Sequence, residues 1–248
     1  LLVEDNEVNQ AVAQGILQNM GFASETVSDG KEALERLERG GIDMVLMDCQ
    51  MPVLNGYDAT RRLREREAQL HRKRLPVIAL TAHATRDDRL KCNDAGMDEY
   101  ISKPVVPEAL AAAMGRFLDA RDVQASVTET VEARVFEQPV FDREDLLRRL
   151  QGNAGLLDRI LAVFLKTIQE QKVALAGVAD SPGDTCGQIL HGIKGACLNA
   201  GGRRAGTLSA ELEDAFHDGR IDEVRKGLPE LLAQIRLLEA EVRKTSGA

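Results

Sequence analysis

The sequence predicts an α/β domain with a doubly wound, five-stranded parallel sheet, followed by an all-α domain that forms a four-helix bundle. Three observations lead to this fold class. Through about residue 120, short apolar runs alternate with stretches of helical periodicity, which is the pattern of β-α-β units. From Phe141 onward, strand patterns stop and apolar residues recur at intervals of three and four. Residues 121–140 follow neither pattern and include Pro139, as expected of a linker. We therefore predict domains at 1–120 and 141–248.

The elements of the first domain can be read in chain order. Five short apolar runs are the candidate strands, and each is followed by a helical stretch. The first of these stretches ends at Gly21, the residue type that commonly follows a helix. The candidate strands are Leu1–Glu4, Ala23–Val27, Met44–Asp48, Val77–Thr81 and Glu99–Ser102.

The second domain shows three long apolar stripes and a short leading helix. Asp142 and Asp145 resemble a capping pair for that leading helix, and Gly201-Gly202 and Gly219 indicate turns between helices. Pro229 lies inside the last pattern, where it either kinks the helix or starts its main part. The apolar stripes are Leu157, Ile160, Leu161, Phe164 and Ile168, then Leu208, Leu212 and Phe216, then Leu228, Leu231, Ile235, Leu238 and Val242.

The composition argues against some classes of binding partner and indicates a cellular location. The net charge of −8 gives no electrostatic reason to expect nucleic acid or an anionic membrane as a partner. No apolar run reaches about 18 residues, so we expect no direct membrane contact in this chain, and any anchor would lie upstream. The four cysteines lack C-x-x-C or zinc spacing, which indicates reduced thiols and a cytoplasmic location. The chain begins abruptly on an apolar strand, which indicates a fragment of a longer protein.

Polar residues follow four of the predicted strands at their carboxyl ends, where an open parallel sheet binds ligands. They are Glu4 and Asp5, Asp48, Thr81 and Lys103. Crowded carboxylates repel one another unless a cation lies among them, and oxygen ligands favour Mg²⁺ or Mn²⁺. Such an ion can bridge Asp48 to a phosphoryl oxygen while Lys103 neutralises another. The pattern therefore indicates phosphoryl transfer.

Four segments in this region resemble the response-regulator receiver family, whose fold is flavodoxin-like, across roughly residues 1–120. By this resemblance, Asp48 is the phosphoacceptor and Glu4 and Asp5 are metal carboxylates. The backbone carbonyl of Gln50 is implied as a further metal ligand. The segments are VEDNEVNQ, MDCQMPVLNGYDAT, PVIALTAHA and DEYISKPV.

The same resemblance implies a conformational switch. Thr81 would close on the phosphoryl group while Tyr100 changes rotamer. It also implies a cis peptide bond between Lys103 and Pro104. The start D-N-x-x-N at Asp5 is most similar to receivers attached to hybrid histidine kinases.

A histidine in the second domain is flanked by glycines. Gly187, His191 and Gly195 are four residues apart and share one stripe of a predicted helix. Glycine in a helix costs about 1 kcal/mol relative to alanine, so we expect a partner's acidic pocket to approach this histidine closely. Lys194 lies beside the imidazole, where it can steady a phosphoryl group and favour the neutral, nucleophilic ring.

The sequence H-G-I-K-G, with Asn199 and Gly201 following, resembles the histidine-phosphotransfer family. This resemblance implies that His191 carries the phosphoryl group. Ile193, Cys197 and Leu198 depart mildly from the usual residues of that family. His217, near a helix end, is interpreted as a C-terminal helix residue without a chemical role.

The leading hypothesis is a two-component phosphorelay, as at the C-terminus of a hybrid sensor histidine kinase. An upstream kinase core would phosphorylate Asp48, Asp48 would pass the group to His191, and His191 would pass it to a downstream response regulator. No Gly-rich ATP-binding motif is present, so the chain itself should not use ATP.

Two other function classes are open to test. The first is a protein-binding module that phosphorylation switches between holding and releasing a partner. The second is an aspartyl-phosphate hydrolase. Such enzymes have a second acid two residues after the nucleophile, and this chain has Gln50 at that position.

Overall fold

The structure is a computed structural model that describes residues 1–81, 86–118, 139–178, 183 and 185–245. The chain divides into two compact units. Nearly all of the predicted linker lies outside the described residues. The domain boundaries at residues 120 and 141 therefore stay predictions.

In the first half of the chain, strands and helices alternate as predicted. Asn6, Asp29 and Asn55 cap the first three helices: their side-chain Oδ1 atoms accept hydrogen bonds from the amides of Val8, Lys31 and Asp58 at 2.7–3.0 Å. The elements are β1 (Leu2–Val3), α1 (Glu7–Asn19), β2 (Thr26–Val27), α2 (Gly30–Glu38), β3 (Val45–Asp48), α3 (Gly56–Gln69), β4 (Val77–Thr81), α4 (Arg86–Ala95), β5 (Glu99–Ser102) and α5 (Pro107–Gly115).

All five strands pair in parallel in the order β2-β1-β3-β4-β5, which confirms the doubly wound fold. The order reverses beside β1, since β2 lies on one side of it and β3 on the other. In such sheets, ligands bind beyond the carboxyl ends of the strands at this reversal. The strand order therefore predicts a ligand site at the carboxyl ends of β1 and β3.

The sheet is covered by apolar side chains of the helices. Residues of β3 and β4 are buried on both faces, as expected for central parallel strands. β1 and β2 are each two residues long, shorter than the predicted Leu1–Glu4 and Ala23–Val27. For β2 the reason is its place at the edge of the sheet, where short strands are common.

The second half of the chain is helical, as predicted, within the residues that the structure describes. Asp142 caps the short first helix, because its side chain accepts a hydrogen bond of 2.9 Å from the amide of Asp145. Pro229 lies inside the last helix and does not start it. The helices are α6 (Arg143–Arg149), α7 (Ala154–Val178), α8 (Thr185–Asn199), α9 (Arg203–His217) and α10 (Ile221–Thr245).

The apolar core of the bundle follows the predicted stripes on α7 and α10, where every predicted residue is buried. On α9 the buried face is rotated: Leu212 is buried, but Leu208 and Phe216 are only partly so. Small residues such as Ala205 and Ser209 take the inner positions because α8 packs closely against this face. The four cysteines are buried and form no disulfide bond. Within the described residues, no helix is long and apolar enough to cross a membrane.

Candidate functional site

The carboxyl edge of the sheet gathers the polar side chains that follow its strands. Glu4 comes directly after β1, Asp48 ends β3 and Thr81 ends β4. Each of these three residues is less than 5% exposed, whereas Asp5 reaches solvent. The register places Asp48 opposite Leu80, so that Thr81 lies one residue beyond the acceptor on the neighbouring strand. The structure thus brings the predicted residues to one edge.

Lys103 links two of these carboxylates. Its Nζ atom lies 2.6 Å from Oε2 of Glu4 and 2.7 Å from Oδ2 of Asp48. All three side chains are buried, with at most 7% of each exposed. The burial of a charge is costly unless it is paired, and one ammonium here pairs with two carboxylates. Lys103 therefore holds the two acids together at the base of the site.

The pKa values of the site reflect this crowding. Burial alone would lower the pKa of Lys103, but the charges of Asp48 and Glu4 outweigh burial and raise it. Although Asp5 reaches solvent, its pKa is raised to about 6, first because the surrounding protein excludes part of the water from the carboxylate and second because Glu4 repels its charge. Lys103 acts on Asp5 in the opposite direction. Excess negative charge thus collects on the outer side of the site.

The carboxylates are close enough to share one cation. Glu4, Asp5 and Asp48 each offer an oxygen atom, and these atoms lie within 4.8 Å of one another. Carboxylate oxygens are the ligands that Mg²⁺ and other hard divalent cations prefer. A shared cation would also relieve the repulsion that raises the pKa of Asp5. The donor set therefore fits such a metal.

The loop after β3 is fixed closely against the acceptor. Gln50 donates its backbone N–H to Oδ1 of Asp48 at 3.2 Å, so its peptide lies beside the carboxylate. Gly56 packs so closely that a Cβ atom there would lie 2.1 Å from the backbone oxygen of Asp48. The Lys103-Pro104 peptide bond is cis, as predicted. The Gln50 amide and Gly56 thus hold the start and the end of this loop close to Asp48.

Tyr100 lies on β5 and contacts α4. The guanidinium carbon of Arg89 is 4.7 Å from the centre of the Tyr100 ring, which is a cation–π distance. Tyr100 is a predicted switch residue, whereas the sequence does not predict Arg89 as its neighbour. Arg89 is an exposed residue of a polar helix, and helical periodicity does not indicate which residue of the sheet such a side chain contacts.

In the helical unit, His191 is joined to Lys194 through an acid. Nδ1 of His191 lies 2.9 Å from Oε1 of Glu213, and Nζ of Lys194 donates to Oε2 of the same carboxylate at 2.5 Å. Both residues lie on α8 and Glu213 lies on α9. When the ring is neutral, a carboxylate at Nδ1 favours the tautomer with the proton on that nitrogen, which leaves Nε2 as the nucleophilic atom. Lys194 thus pairs with Glu213, a partner that the sequence analysis did not predict.

Glu213 is held as an anion. Burial alone would raise its pKa, but the hydrogen bond with His191 and the charge of Lys194 lower it to about 2. Nε2 of His217 lies 4.0 Å from the same Oε1 atom that contacts His191. Glu213 is therefore the charged centre of this second site.

Close packing between α8 and α9 sets the position of Glu213. A Cβ atom on Gly187 would lie 2.9 Å from the Phe216 ring, and the Ser209 hydroxyl donates to the carbonyl of Leu190 at 2.8 Å. Gly187 is thus buried against α9, and the close approach that its spacing predicts is made by Phe216 of the same bundle and not by a partner.

One sequence signal could have identified Glu213. It lies four residues after Ser209 and directly after Leu212, so it falls on the stripe that faces inward in a helix. An acidic residue on such a stripe needs a buried partner. Choosing the partner among the cations of the other helices requires the packing of α8 on α9, which the sequence does not give.

Comparisons with known proteins support the functional site at the carboxyl edge of the sheet. The response regulator receiver domain family matches residues 1–115. The sensor histidine kinase GacS of Pseudomonas protegens is 30% identical over 246 residues, which cover 95% of this chain and 27% of GacS. The aerobic respiration control sensor ArcB of Escherichia coli is 32% identical over 254 residues, with 99% of this chain and 32% of ArcB covered.

Among solved structures, the receiver domain of the sensor histidine kinase PA1611 from Pseudomonas aeruginosa is 44% identical, with 47% of this chain and 93% of that domain covered and a TM-score of 0.43. That structure has a magnesium ion in its active site cleft. The present chain spans about a third or less of the length of the curated relatives named above. The family match, the strand order and the acidic edge agree, and residues 1–115 therefore belong to the response regulator receiver domain family.

Proposed function

We propose that this chain relays a phosphoryl group between Asp48 of the receiver domain and His191 of a histidine-phosphotransfer bundle. One observation carries the proposal: Asp48 shares a buried ammonium with Glu4 and lies within metal-sharing distance of Glu4 and Asp5. Phosphoryl transfer to a carboxylate requires this combination of an oxygen nucleophile and positive charge around the transferring oxygens. The similarity to the sensor histidine kinase GacS and to the aerobic respiration control sensor ArcB supports the same function.

In the first step, a carboxylate oxygen of Asp48 attacks the phosphorus of a donor. The new bond joins this oxygen to phosphorus, and the bond from phosphorus to the donor breaks with its electron pair. Nζ of Lys103 lies 2.7 Å from Oδ2 of Asp48. It is close enough to form an ion pair with a phosphoryl oxygen once the group is on Asp48. Thr81, at the end of the neighbouring strand, is proposed to close on that group while Tyr100 changes rotamer.

In the second step, Nε2 of His191 attacks the phosphorus of the acyl phosphate. The phosphorus–nitrogen bond forms while the bond to Asp48 breaks, which restores the carboxylate. Glu213 orients the ring by accepting a hydrogen bond from Nδ1–H, and it stabilises the positive charge that the ring gains. Lys194 holds Glu213 ionised and in place. The reverse reaction uses the same groups.

Magnesium is the proposed cofactor of the first step. Glu4, Asp5 and Asp48 would hold it, with the backbone carbonyl of Gln50 as a further ligand, and Mn²⁺ has the same preference for oxygen. When bound, such an ion offsets the negative charge of the phosphoryl oxygens. The magnesium in the cleft of the PA1611 receiver is consistent with this assignment.

The partners belong to the proposal as well. An upstream histidine kinase core, in the same polypeptide by analogy with GacS and ArcB, would phosphorylate Asp48, and a separate response regulator would accept the group from His191. Four cysteines without a disulfide bond fit a reducing compartment such as the cytoplasm.

Labelled acetyl phosphate with Mg²⁺ tests the relay in the intact chain. Wild type should acquire two kinds of label, one that hydroxylamine removes from Asp48 and one that is stable to base but labile to acid on His191. Asp48→Ala should lose both kinds, whereas His191→Gln should lose only the acid-labile kind. If neither residue is labelled in wild type, the relay is wrong and a binding module is favoured. If Asp48→Ala still acquires the acid-labile label, His191 does not receive its phosphoryl group from Asp48.

A further inference from the structure

Two thiols of the receiver domain meet beside Asp48. Cys49 directly follows Asp48 at the end of β3, and Cys92 lies on α4. Both residues are 2% exposed and belong to one apolar cluster, and their side chains hydrogen-bond to each other. The hydroxyl group of Tyr57, on α3, hydrogen-bonds to the same two sulfur atoms. Three elements of the domain thus bring two thiols and a phenol into contact.

The contact between the thiols favours deprotonation of Cys92 over that of Cys49. The hydrogen bond from Cys49 lowers the pKa of Cys92 more than burial and the charge of Asp88 raise it, and Tyr57 acts in the same direction as Cys49. The same contact and burial raise the pKa of Cys49, so the proton stays on that sulfur. The thiolate is the form of cysteine that attacks an oxidant. Cys92 is therefore the nucleophile of the pair.

The other two cysteines lack this arrangement. Burial raises the pKa of both Cys186 and Cys197, and neither receives the hydrogen bond that lowers the pKa of Cys92. They lie about 16 Å apart along α8, which is too far for a disulfide bond. The chain therefore contains its own controls for a reaction that needs two adjacent thiols.

Helix α4 is attached to the sheet by few apolar side chains. Among residues 88–95, which the structure describes in full, only Cys92 and Ala95 are buried, and Leu90 is 52% exposed. A segment with so few buried apolar contacts opens locally at a low free energy. Because Cys92 is one of the two buried residues, local opening of α4 exposes the thiol pair to a small oxidant.

A covalent bond between the two sulfur atoms would connect α4 to the strand that ends in Asp48. The same helix begins five residues after Thr81 and carries Arg89, whose guanidinium carbon lies 4.7 Å from the centre of the Tyr100 ring. Helix α4 is therefore linked to both residues of the proposed switch. A crosslink that fixes this helix would oppose the movement of Thr81 and Tyr100.

We propose that Cys49 and Cys92 form a reversible disulfide bond when the receiver domain is exposed to a peroxide, and that this bond slows phosphorylation of Asp48. The second half of the proposal rests on the relay function and adds a modification site that regulates it. Transient disulfides of this kind occur in the reducing cytoplasm, where they act as redox sensors.

The chemistry needs one equivalent of peroxide. The Cys92 thiolate attacks one oxygen of hydrogen peroxide, the oxygen–oxygen bond breaks, and a sulfenic acid forms while hydroxide leaves. This hydroxide takes the proton of Cys49, whose thiolate then attacks the sulfur of Cys92 and displaces the second hydroxide, which takes a proton from solvent. The two sulfur atoms together lose two electrons, and the peroxide is reduced to two water molecules. A dithiol reductant reverses the reaction by exchange.

Oxidation of the intact chain tests the bond itself. The chain is treated with hydrogen peroxide and denatured, the remaining thiols are alkylated, and mass spectrometry locates the products. Wild type should lose two of its four thiols and yield a disulfide-linked pair of peptides that contain Cys49 and Cys92. Cys186 and Cys197 should still be alkylated. Cys92→Ala and Cys49→Ala should each yield no linked pair, so that either variant suffices if the other fails to fold.

The effect on Asp48 is measured with labelled acetyl phosphate and Mg²⁺ in a His191→Gln background, where only Asp48 retains label. Oxidised chain should load at least about fivefold more slowly than reduced chain, which is the lower end of typical coupling between sites. Dithiothreitol should restore the rate. Cys92→Ala should load at the same rate before and after peroxide. Cys197→Ala is the matched control, since it removes another buried cysteine and should stay sensitive to peroxide.

Each outcome supports or overturns the proposal. Absence of the bond between Cys49 and Cys92 after peroxide would overturn it, and so would a bond that leaves loading unchanged. An equal loss of loading in Cys92→Ala would also overturn it, because another oxidised group would then be responsible. Absence of loading in the reduced chain would remove the relay and with it the regulatory role, whereas the mass measurement would still show whether the bond forms.

Discussion

The two sites of this chain solve the problem of buried charge in different ways. At the edge of the sheet, three carboxylates lie close together, one ammonium pairs with two of them, and the pKa of Asp5 rises to about 6. In the bundle, one carboxylate lies between an ammonium and an imidazole, and the pKa of Glu213 falls to about 2. The first site has an excess of negative charge that a cation can relieve, whereas the second is balanced by its own residues. A dependence on metal should therefore distinguish them.

Removal of metal gives the largest expected difference between the sites. With excess chelator, loading of Asp48 from acetyl phosphate should fall at least about thousandfold, the equivalent of the several kcal/mol that a metal ion contributes to such a step. Label already on His191 should persist under the same conditions, because Glu213 and Lys194 balance one another. Chelator added to a labelled, desalted chain checks both. Rapid loss of the acid-labile label would contradict the distinction.

Removal of one carboxylate from each site should affect stability unequally. Glu213→Gln takes away the carboxylate that pairs with buried Lys194 and should lower the free energy of unfolding by about 3 kcal/mol. Glu4→Gln is the matched variant, and it should cost about 1 kcal/mol, because Lys103 keeps its contact with Asp48. Urea unfolding of both variants measures the difference. Equal losses would mean that the second carboxylate at Lys103 is as necessary as the single one at Lys194.

Acid should act on the two sites with opposite signs. The pKa of Glu213 is lowered from 4.5 to about 2, so its contribution is complete above pH 4.5 and is lost as pH falls toward 2. The stability difference between wild type and Glu213→Gln should therefore shrink by about 2 kcal/mol between pH 5 and pH 2.5, after allowance for solvent screening.

The pKa of Asp5 is raised from 3.8 to about 6, so its neutral form stabilises the fold at low pH and this contribution is lost as pH rises through 6. Without added metal, Asp5→Asn should stabilise the receiver domain at pH 7 but not at pH 3.5. Urea unfolding at these pH values measures both effects, and the same sign at both sites would show that the charge balance has been misjudged.

The smallest expected effect concerns the cation–π contact between Arg89 and Tyr100. Loss of an exposed contact of this kind is worth about 0.5 to 1 kcal/mol. If the ring must move when Asp48 is phosphorylated, Arg89→Ala should tighten the apparent binding of beryllofluoride, a phosphoryl mimic, about two- to fivefold. The chain has two tyrosines and no tryptophan, so in a Tyr57→Phe background the intrinsic fluorescence reports on Tyr100.

Lys91→Ala is the matched control for Arg89→Ala, because it removes an exposed positive charge from the same helix. An equal effect of the two substitutions would assign the change to the charge of α4 and would remove the role of the ring contact.

The sequence was more informative about the first site than about the second. Residues at the ends of parallel strands meet at one edge whatever the details of packing, so Glu4, Asp48 and Lys103 could be grouped from strand positions alone. Glu213 meets His191 only because of how α9 is rotated against α8. That rotation depends on where small side chains such as Ser209 and Gly187 allow close approach. Helical periodicity defines the apolar stripe of a helix, but not the neighbour that faces each position.

The bounds of the strands could be predicted closely in the centre of the sheet and less closely at its edge. The central strands β3 and β4 are buried on both faces, and their continuous apolar runs gave the strand ends to within one residue. The edge strand β2 was predicted three residues too long at its start, because the residues there do not indicate where pairing with β1 begins. Val53, in the loop between β3 and α3, shows a different limit: its φ angle is +65°, and an angle that is unusual for valine cannot be inferred from the sequence.

The link that Lys103 makes between Glu4 and Asp48 has a consequence for how the receiver domain is made in the cell. A site composed of carboxylates alone would tie folding of the newly synthesised chain to the supply of divalent cation. With an internal counterion at 2.6 and 2.7 Å, folding and activation become separate events. We therefore expect the domain to fold without divalent cation, although a bound ion would stabilise it further by offsetting the repulsion between Asp5 and Glu4.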